Sequence, residues 1–110
     1  MKRNILLPLI YIATTFSSAT VLAQSMPIGD YEAGEVKSFT CQFCHGQTGV
    51  ASKNGYPHIN NQNALYLYKS MKAYQQDERL GPYGKMMKQQ LIALDDQDLA
   101  DIAVYYAEQQ

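Results

Sequence analysis

Both cysteines of the chain fall in one short segment, Cys41-Gln42-Phe43-Cys44-His45. Two thiols separated by two residues can reach adjacent pyrrole rings from a single helical turn. They can therefore add across the two vinyl groups of a haem. The next residue, His45, is then held beneath the iron as its proximal ligand. Covalent attachment of haem c through Cys41 and Cys44 is the chemistry that this spacing serves best.

Three other uses of the same residues are weaker. A redox disulfide of the thioredoxin kind needs a strand-helix-strand setting, and none can be read around residues 41–44. A structural disulfide would close a loop of only four residues and remove little entropy from the unfolded chain. Zinc needs four ligands, and Cys41, Cys44, His45 and His58 are the whole supply of cysteine and histidine. With His45 directly beside Cys44, a tetrahedral arrangement is crowded.

A haem iron with both axial positions filled needs a second ligand across from His45. His58 lies only 13 residues on, after Pro57, and reads as an exposed loop histidine. Met86 and Met87 follow Gly81-Pro82-Tyr83-Gly84 and precede the last helix, so either could lay a thioether over the other haem face. Met26, near the start of the mature chain, and Met71, in a helical apolar stripe, read as packing residues.

The elements that position these residues begin after an export tag. Met1-Lys2-Arg3 precedes the apolar run Ile5–Ala13, and Val21-Leu22-Ala23 presents small or modest residues to a signal peptidase. Cleavage is expected between Ala23 and Gln24. The apolar run contains Pro8 and gives way to Thr14, Thr15, Ser17 and Ser18, short of the roughly 20 residues that span a bilayer. The reading is a signal peptide over 1–23, a periplasmic destination and no stable membrane insertion.

Residues 24–110 form one small domain. A chain of that size has a thin core and needs a staple such as a large buried cofactor. Without Lys2 and Arg3 the basic count falls from 9 to 7 against 10 acidic residues, a formal charge of −3. With no Lys/Arg cluster, nucleic acid is not an expected partner.

The mature chain reads as all-α, without a strand-like alternation. The first helix starts at an Asp30 N-cap, with Glu32 and Glu35 early, and runs into Cys41. Residues 46–63, rich in Gly, Asn and Pro, form a long loop of the kind that wraps a ligand. A second helix spans about Asn63–Gln75 with Leu65, Tyr68 and Met71 or Lys72 on one face. Leu80–Lys85 reads as a turn. The third helix, Gln97–Glu108, has a capping pair in Asp95 and Asp98 and the stripe Leu99, Ile102, Ala103, Tyr106.

These residues resemble the bacterial class I cytochromes c, in particular the group of cytochrome c4 and its single-haem relatives. The likeness runs over nearly all of residues 29–108. It rests on Gly29-Asp30 and Gly34, on Cys-x-x-Cys-His-Gly, on Tyr56-Pro57, on Gln62 with Tyr66 and Lys69, and on Met87 seven residues before Leu94-Asp95-Asp96-Gln97-Asp98-Leu99. The resemblance implies a small helical bundle wrapped around one haem c, with the first and last helices crossing where Gly34 admits Tyr105 or Tyr106. It implies that the Pro57 carbonyl accepts from His45 Nδ1 and orients the ring, and that Met87 rather than Met86 is the distal ligand. Departures are Gln90, where relatives often have a second methionine, and Asn60-Asn61 in place of Ala-Gly.

With both axial positions taken, the iron has no open site, and electron transfer rather than enzymatic turnover is the expected function. The protein would carry electrons between respiratory-chain partners such as a terminal oxidase, reductase or dehydrogenase. The alternative is a haem electron-transfer subunit of a periplasmic dehydrogenase complex. A patch of Tyr66, Tyr74, Tyr83 and Tyr105, if exposed, would suit such a stable partner.

Overall fold

The computed structural model describes residues 25–110, and the expected signal peptide over 1–23 lies outside them. Among the described residues the only regular elements are five helices: α1 Tyr31–Lys37, α2 Gln42–His45, α3 Ala64–Gln75, α4 Pro82–Leu91 and α5 Asp96–Ala107. The all-α expectation holds. None of these helices is long and apolar enough to cross a membrane.

Helix α5 is the centre of the core. It starts at a complete capping box, in which Asp95 accepts from the Asp98 backbone N–H and Asp98 accepts from that of Asp95. Two of the helix's unpaired N–H donors are satisfied and acidic side chains sit at its positive end. Leu99, Ala100, Ile102, Ala103, Tyr105 and Tyr106 are all buried and supply most of the core cluster, which Leu67 and Tyr68 of α3 and Leu91 of α4 complete. Helices α1 and α3 pack on α5, and α4 packs on α3.

The first helix is shorter than its sequence pattern. It begins as expected, with Asp30 accepting from the Ala33 N–H at 2.7 Å, but it ends at Lys37 instead of running into Cys41. Ser38 is fully buried and turns its hydroxyl back onto the Glu35 carbonyl at 2.9 Å. Such back-bonding competes with continuation of the helix. A turn over 38–41 then leads into the separate single turn α2, which holds Cys44 and His45.

Helix α3 starts where it was expected, with Asn63 accepting from the Tyr66 N–H at 3.0 Å. Its buried face is set one step round from the expected one: Leu67 and Tyr68 are buried and Met71 packs on the core, whereas Leu65 is exposed.

The largest departure is α4. Gly81-Pro82 does not close a turn but opens a helix: Gly81 is the N-cap at φ +95° and Pro82 occupies the first turn. Proline suits that place because the N–H it lacks would have no partner there and its φ is already helical. Met86 and Met87 therefore sit within a helix rather than between a turn and the last helix. Gln75 of α3 fixes the far end of α4, donating to the carbonyls of Leu91 at 2.8 Å and Leu94 at 3.0 Å.

The α1–α5 crossing is held by close backbone approach and by one buried carboxylate. A Cβ on Gly34 would run into the Asp101 carbonyl and stand 2.8 Å from Tyr105 Cβ, so Tyr105, not Tyr106, is the tyrosine admitted there. Asp101, with a side chain only 3% exposed, accepts from Lys37 Nζ at 2.6 Å, the Asp30 N–H at 2.8 Å and Gln97 Nε2 at 2.8 Å. Burial alone would raise its pKa, but these donors hold it below the usual carboxylate range. Asp98, 2.8 Å from Lys37, is held down as well, chiefly by the Lys37 hydrogen bond, and Lys37 is raised by both acids.

Two outcomes are expected. Asp101→Asn removes the anion from three convergent donors and lowers the stability of the haem-loaded protein by about 2 kcal/mol at pH 7. Because the carboxylates are depressed, their contribution is full above about pH 4 and fades as pH falls through the folded-state values; because Lys37 is raised, its share fades only above about pH 10. Thermal unfolding of wild type and variant should therefore show a wide gap at pH 7 that narrows by pH 3. Gly34→Ala should cost about 3 kcal/mol, since backbone on α5 cannot yield to a methyl group.

Candidate functional site

Helices α2, α3, α4 and α5, with the 46–63 loop, surround a cavity of about 500 Å³. Its size is within the range of small-molecule and cofactor sites, and its walls include Leu67, Met71, Leu91, Ile102 and Tyr106. Each residue singled out from the sequence lies at this cavity: Cys41, Cys44 and His45 from the α2 segment, Pro57 from the loop, and Met86 and Met87 from α4. Both cysteines are free thiols.

Local geometry explains how the loop returns to His45. Gly46 caps α2 at φ +81°, a left-handed conformation open to glycine, and a Cβ there would strike the Val50 carbonyl. Gly49, at φ +83°, accepts from the backbone N–H groups of Ile59 at 2.8 Å and Asn60 at 3.3 Å and so pins the loop's return strand of chain. Asn61 is also left-handed, at φ +50°, and its N–H donates to the Tyr106 carbonyl of α5 at 3.0 Å. Asparagine tolerates this region better than other residues with a side chain, which accounts for its standing where the resemblance leads one to expect glycine.

His45 is buried, with its Nδ1 2.9 Å from the Pro57 carbonyl. A carbonyl only accepts, so Nδ1 carries the proton and Nε2 is left as the ring's electron-pair donor. His58 is exposed, and its Nδ1 accepts from the Ala51 N–H at 2.9 Å, which occupies it as a loop-bracing group. Burial pushes the Cys41 thiol pKa up, the opposite of what a reactive redox thiol requires. Among the described residues, no group of three or more His, Cys, Asp and Glu side chains is placed to hold a metal ion.

The α4 register separates the two methionines. Gly84, Met87 and Leu91 follow one another at three and four residues, and Gly84 and Leu91 are buried. Met87 packs on the core from this stripe. Met86 shares its face with Tyr83 and Gln90, both exposed. Sequence periodicity does not show this, because Leu80–Lys85 reads as a turn and hides the first part of the helix. Met71, read as packing, does pack on the core, and it lines the cavity too.

The expected tyrosine patch is only partly a surface. Tyr66 and Tyr83 are 51% and 57% exposed, but Tyr105 is buried and donates to the Gln47 carbonyl at 2.9 Å. Tyr106 is buried as well, which pushes its phenol pKa up. Phe43, between the two cysteines, is 73% exposed and meets Phe39 edge to face with ring centroids 5.6 Å apart.

An apolar cavity with two free thiols and a buried, oriented imidazole at its wall fits a covalently held haem. Comparison with known proteins agrees. The family model for cytochrome c matches residues 32–108. Cytochrome c-554(548) of Halomonas halodenitrificans is 43% identical over 82 residues, 74% of this chain and 99% of that protein. Cytochrome c4 of Pseudomonas aeruginosa is 38% identical over 81 residues, 74% of this chain but 39% of its own length. The crystal structure of reduced recombinant cytochrome c4 from Pseudomonas stutzeri superposes with a TM-score of 0.66 at 35% identity, covering 74% of this chain and 46% of that one. The chain thus spans less than half the length of these cytochrome c4 relatives. The motif at residues 41–45, the helices folded about one cavity and these matches together make the chain a member of the cytochrome c family, a class I, cytochrome c4-like electron-transfer protein with haem c as its covalent cofactor.

Proposed function

We propose that residues 24–110 are a periplasmic single-haem electron carrier, exported by a signal peptide over 1–23, in which Cys41 and Cys44 would hold the haem and His45 and Met87 would ligate its iron. The observation that carries this reading is the convergence of three separate elements on one cavity: the Cys41–His45 turn, the Pro57 carbonyl of the loop and Met87 of α4. Bound haem c supplies one-electron exchange between ferrous and ferric iron. The chain's own residues do the rest. Cys41 and Cys44 fix the plane, and Pro57 keeps the His45 Nδ1 proton in place so that Nε2 faces outward as ligand. Met87, on a helix anchored through Gln75, offers a thioether from a rigid support and favours the reduced state relative to a second histidine. Leu67, Leu91, Ile102 and Tyr106 exclude water around it.

His45 and Met87 would together hold the iron and leave substrates no place on it, so the haem would supply electron exchange alone and the protein would act as a carrier and not an enzyme. Exposed Phe39 and Phe43 beside the cysteines provide an apolar contact for brief docking with a terminal oxidase, reductase or dehydrogenase. Tyr66 and Tyr83, also exposed at the cavity's rim, are the observation that favours the second reading, a subunit of a periplasmic dehydrogenase complex. Gel filtration of native extract separates the two: elution at the size of the free domain supports the shuttle, and co-elution with a flavin or quinoprotein dehydrogenase supports the subunit.

The ligand assignment has a direct check. The oxidised protein should show the near-infrared charge-transfer band of methionine bound to ferric haem. Met87→Ala should lose it and gain carbon monoxide binding in the reduced state, whereas Met86→Ala should keep it. Loss of the band in Met86→Ala alone would reassign the ligand. For the attachment, Cys41→Ala combined with Cys44→Ala should yield a chain without covalent haem and with most of its helical circular dichroism gone, because so small a core depends on the cofactor. Native helix content in that double variant would contradict this account.

A further inference from the structure

Helix α4 carries Met87, and its two ends are held in different ways. The far end is fixed inward: Leu91 is 2% exposed, Gln75 donates to the carbonyls of Leu91 and Leu94, and Lys88 pairs with Asp77. The first turn has less. Gly81 supplies no side-chain cap, Pro82 is exposed, and the α4 backbone lies close to no helix but α3. Gly84 packs against the Arg79 carbonyl, but that carbonyl belongs to the connection leading into α4 itself.

Support for the first turn comes from the 46–63 loop. Tyr83 meets Tyr56 edge to face, with ring centroids 5.8 Å apart and planes at 73°, and a Cβ on Gly55 would stand 3.2 Å from the Tyr83 hydroxyl. Gly55 is at φ +94°, so the loop offers bare backbone to the phenol. Among the described residues no hydrogen bond joins this loop to α4. At 57% exposure Tyr83 has little part in the core, and its ring serves this contact instead. Tyr56 directly precedes Pro57, whose carbonyl holds the His45 ring. The aromatic pair therefore ties the segment that orients His45 to the helix that carries Met87.

We propose that Tyr83, set against Tyr56 and Gly55, is a positioning residue for Met87, a latch that keeps the first turn of α4 closed over the cavity. The inference rests on the haem and ligand reading above. Met87 lies one helical turn beyond Tyr83, so a displacement of Tyr83 is carried directly to the thioether. With the latch released, α4 pivots on its Leu91 end and Met87 withdraws more often. An edge-to-face aromatic pair shifts such a balance by about threefold to tenfold.

The test uses the haem-loaded chain in its oxidised form with imidazole as the probe. Imidazole binds the iron only where Met87 has withdrawn, so its apparent affinity follows the open fraction. A pyridine haemochrome spectrum and a near-infrared band lost in Met87→Ala come first. Failure at that step would overturn the haem reading and the latch with it, whereas the later steps bear on the latch alone. Tyr83→Ala should raise the apparent imidazole affinity about threefold to tenfold. Tyr56→Ala should raise it by the same factor, and the two together no further than either alone, because a single contact is lost. Tyr83→Phe, which keeps the ring, should stay within about twofold of wild type. Gly34→Ala loosens the α1–α5 crossing instead and should also stay within about twofold, which a role in general stability would not allow. Unchanged affinity in Tyr83→Ala, full additivity in the double variant, or an equal rise in Gly34→Ala would defeat the assignment. Should Tyr83→Ala fail to load haem, Tyr83→Leu, which keeps bulk without the ring, decides by the same measurement.

Discussion

Everything in this fold is arranged around the constraint that a domain of fewer than a hundred residues keeps a cavity of about 500 Å³ beside its packed core. Leu67, Leu91 and Ile102 belong to one buried cluster and also line this space. Contact among helices is correspondingly one-sided: α5 receives α1 and α3, and α4 reaches the core through α3. A flat apolar cofactor would extend that cluster into a larger continuous interior, and so the site and the stability of the fold are one problem.

The polar groups serve this arrangement by making the frame rigid where apolar contact is thin. Asp101 ties α1 to α5, Lys72 ties α3 to Asp96 at 2.6 Å, and Lys88 pairs with Asp77 across the α3–α4 connection. The exposed pairs contribute little energy singly. Asp101 differs because it is buried with three donors, of which the Asp30 N–H would be left without an acceptor if it were lost.

Much of this could be read from residue types alone, wherever the physics is local. The capping box of Asp95 and Asp98, the Asn63 and Asp30 caps, the irregular 46–63 segment and the Cys-x-x-Cys-His turn depend on interactions within a few residues. What escaped reading depends on long-range packing. Gly81-Pro82 has the composition of a turn and becomes a helix start because the stripe Gly84, Met87, Leu91 finds a core to bury against. Helix α1 stops short because Ser38 is buried and bonds backward. Tyr105 shares the character of exposed Tyr66 and Tyr83 but is taken inside by the closeness of α1 at Gly34. The site residues were legible as a set, through one dense motif and a resemblance. Arg79 was not, since nothing in its neighbours along the chain marks it as the one permanent charge among the described residues that line the cavity.

The hydrogen bond from the Asp30 N–H to Asp101 joins residues 71 positions apart. The cysteine turn, the loop and both methionines all lie within the span it closes. Drawing such a loop together costs about 4 kcal/mol of chain entropy before any contact inside it is made. The cavity acquires its last wall only when α5, near the end of the chain, has been made. Attachment at Cys41 and Cys44 can therefore precede the finished fold, and a haem already held there would give the two ends of the chain something to close upon.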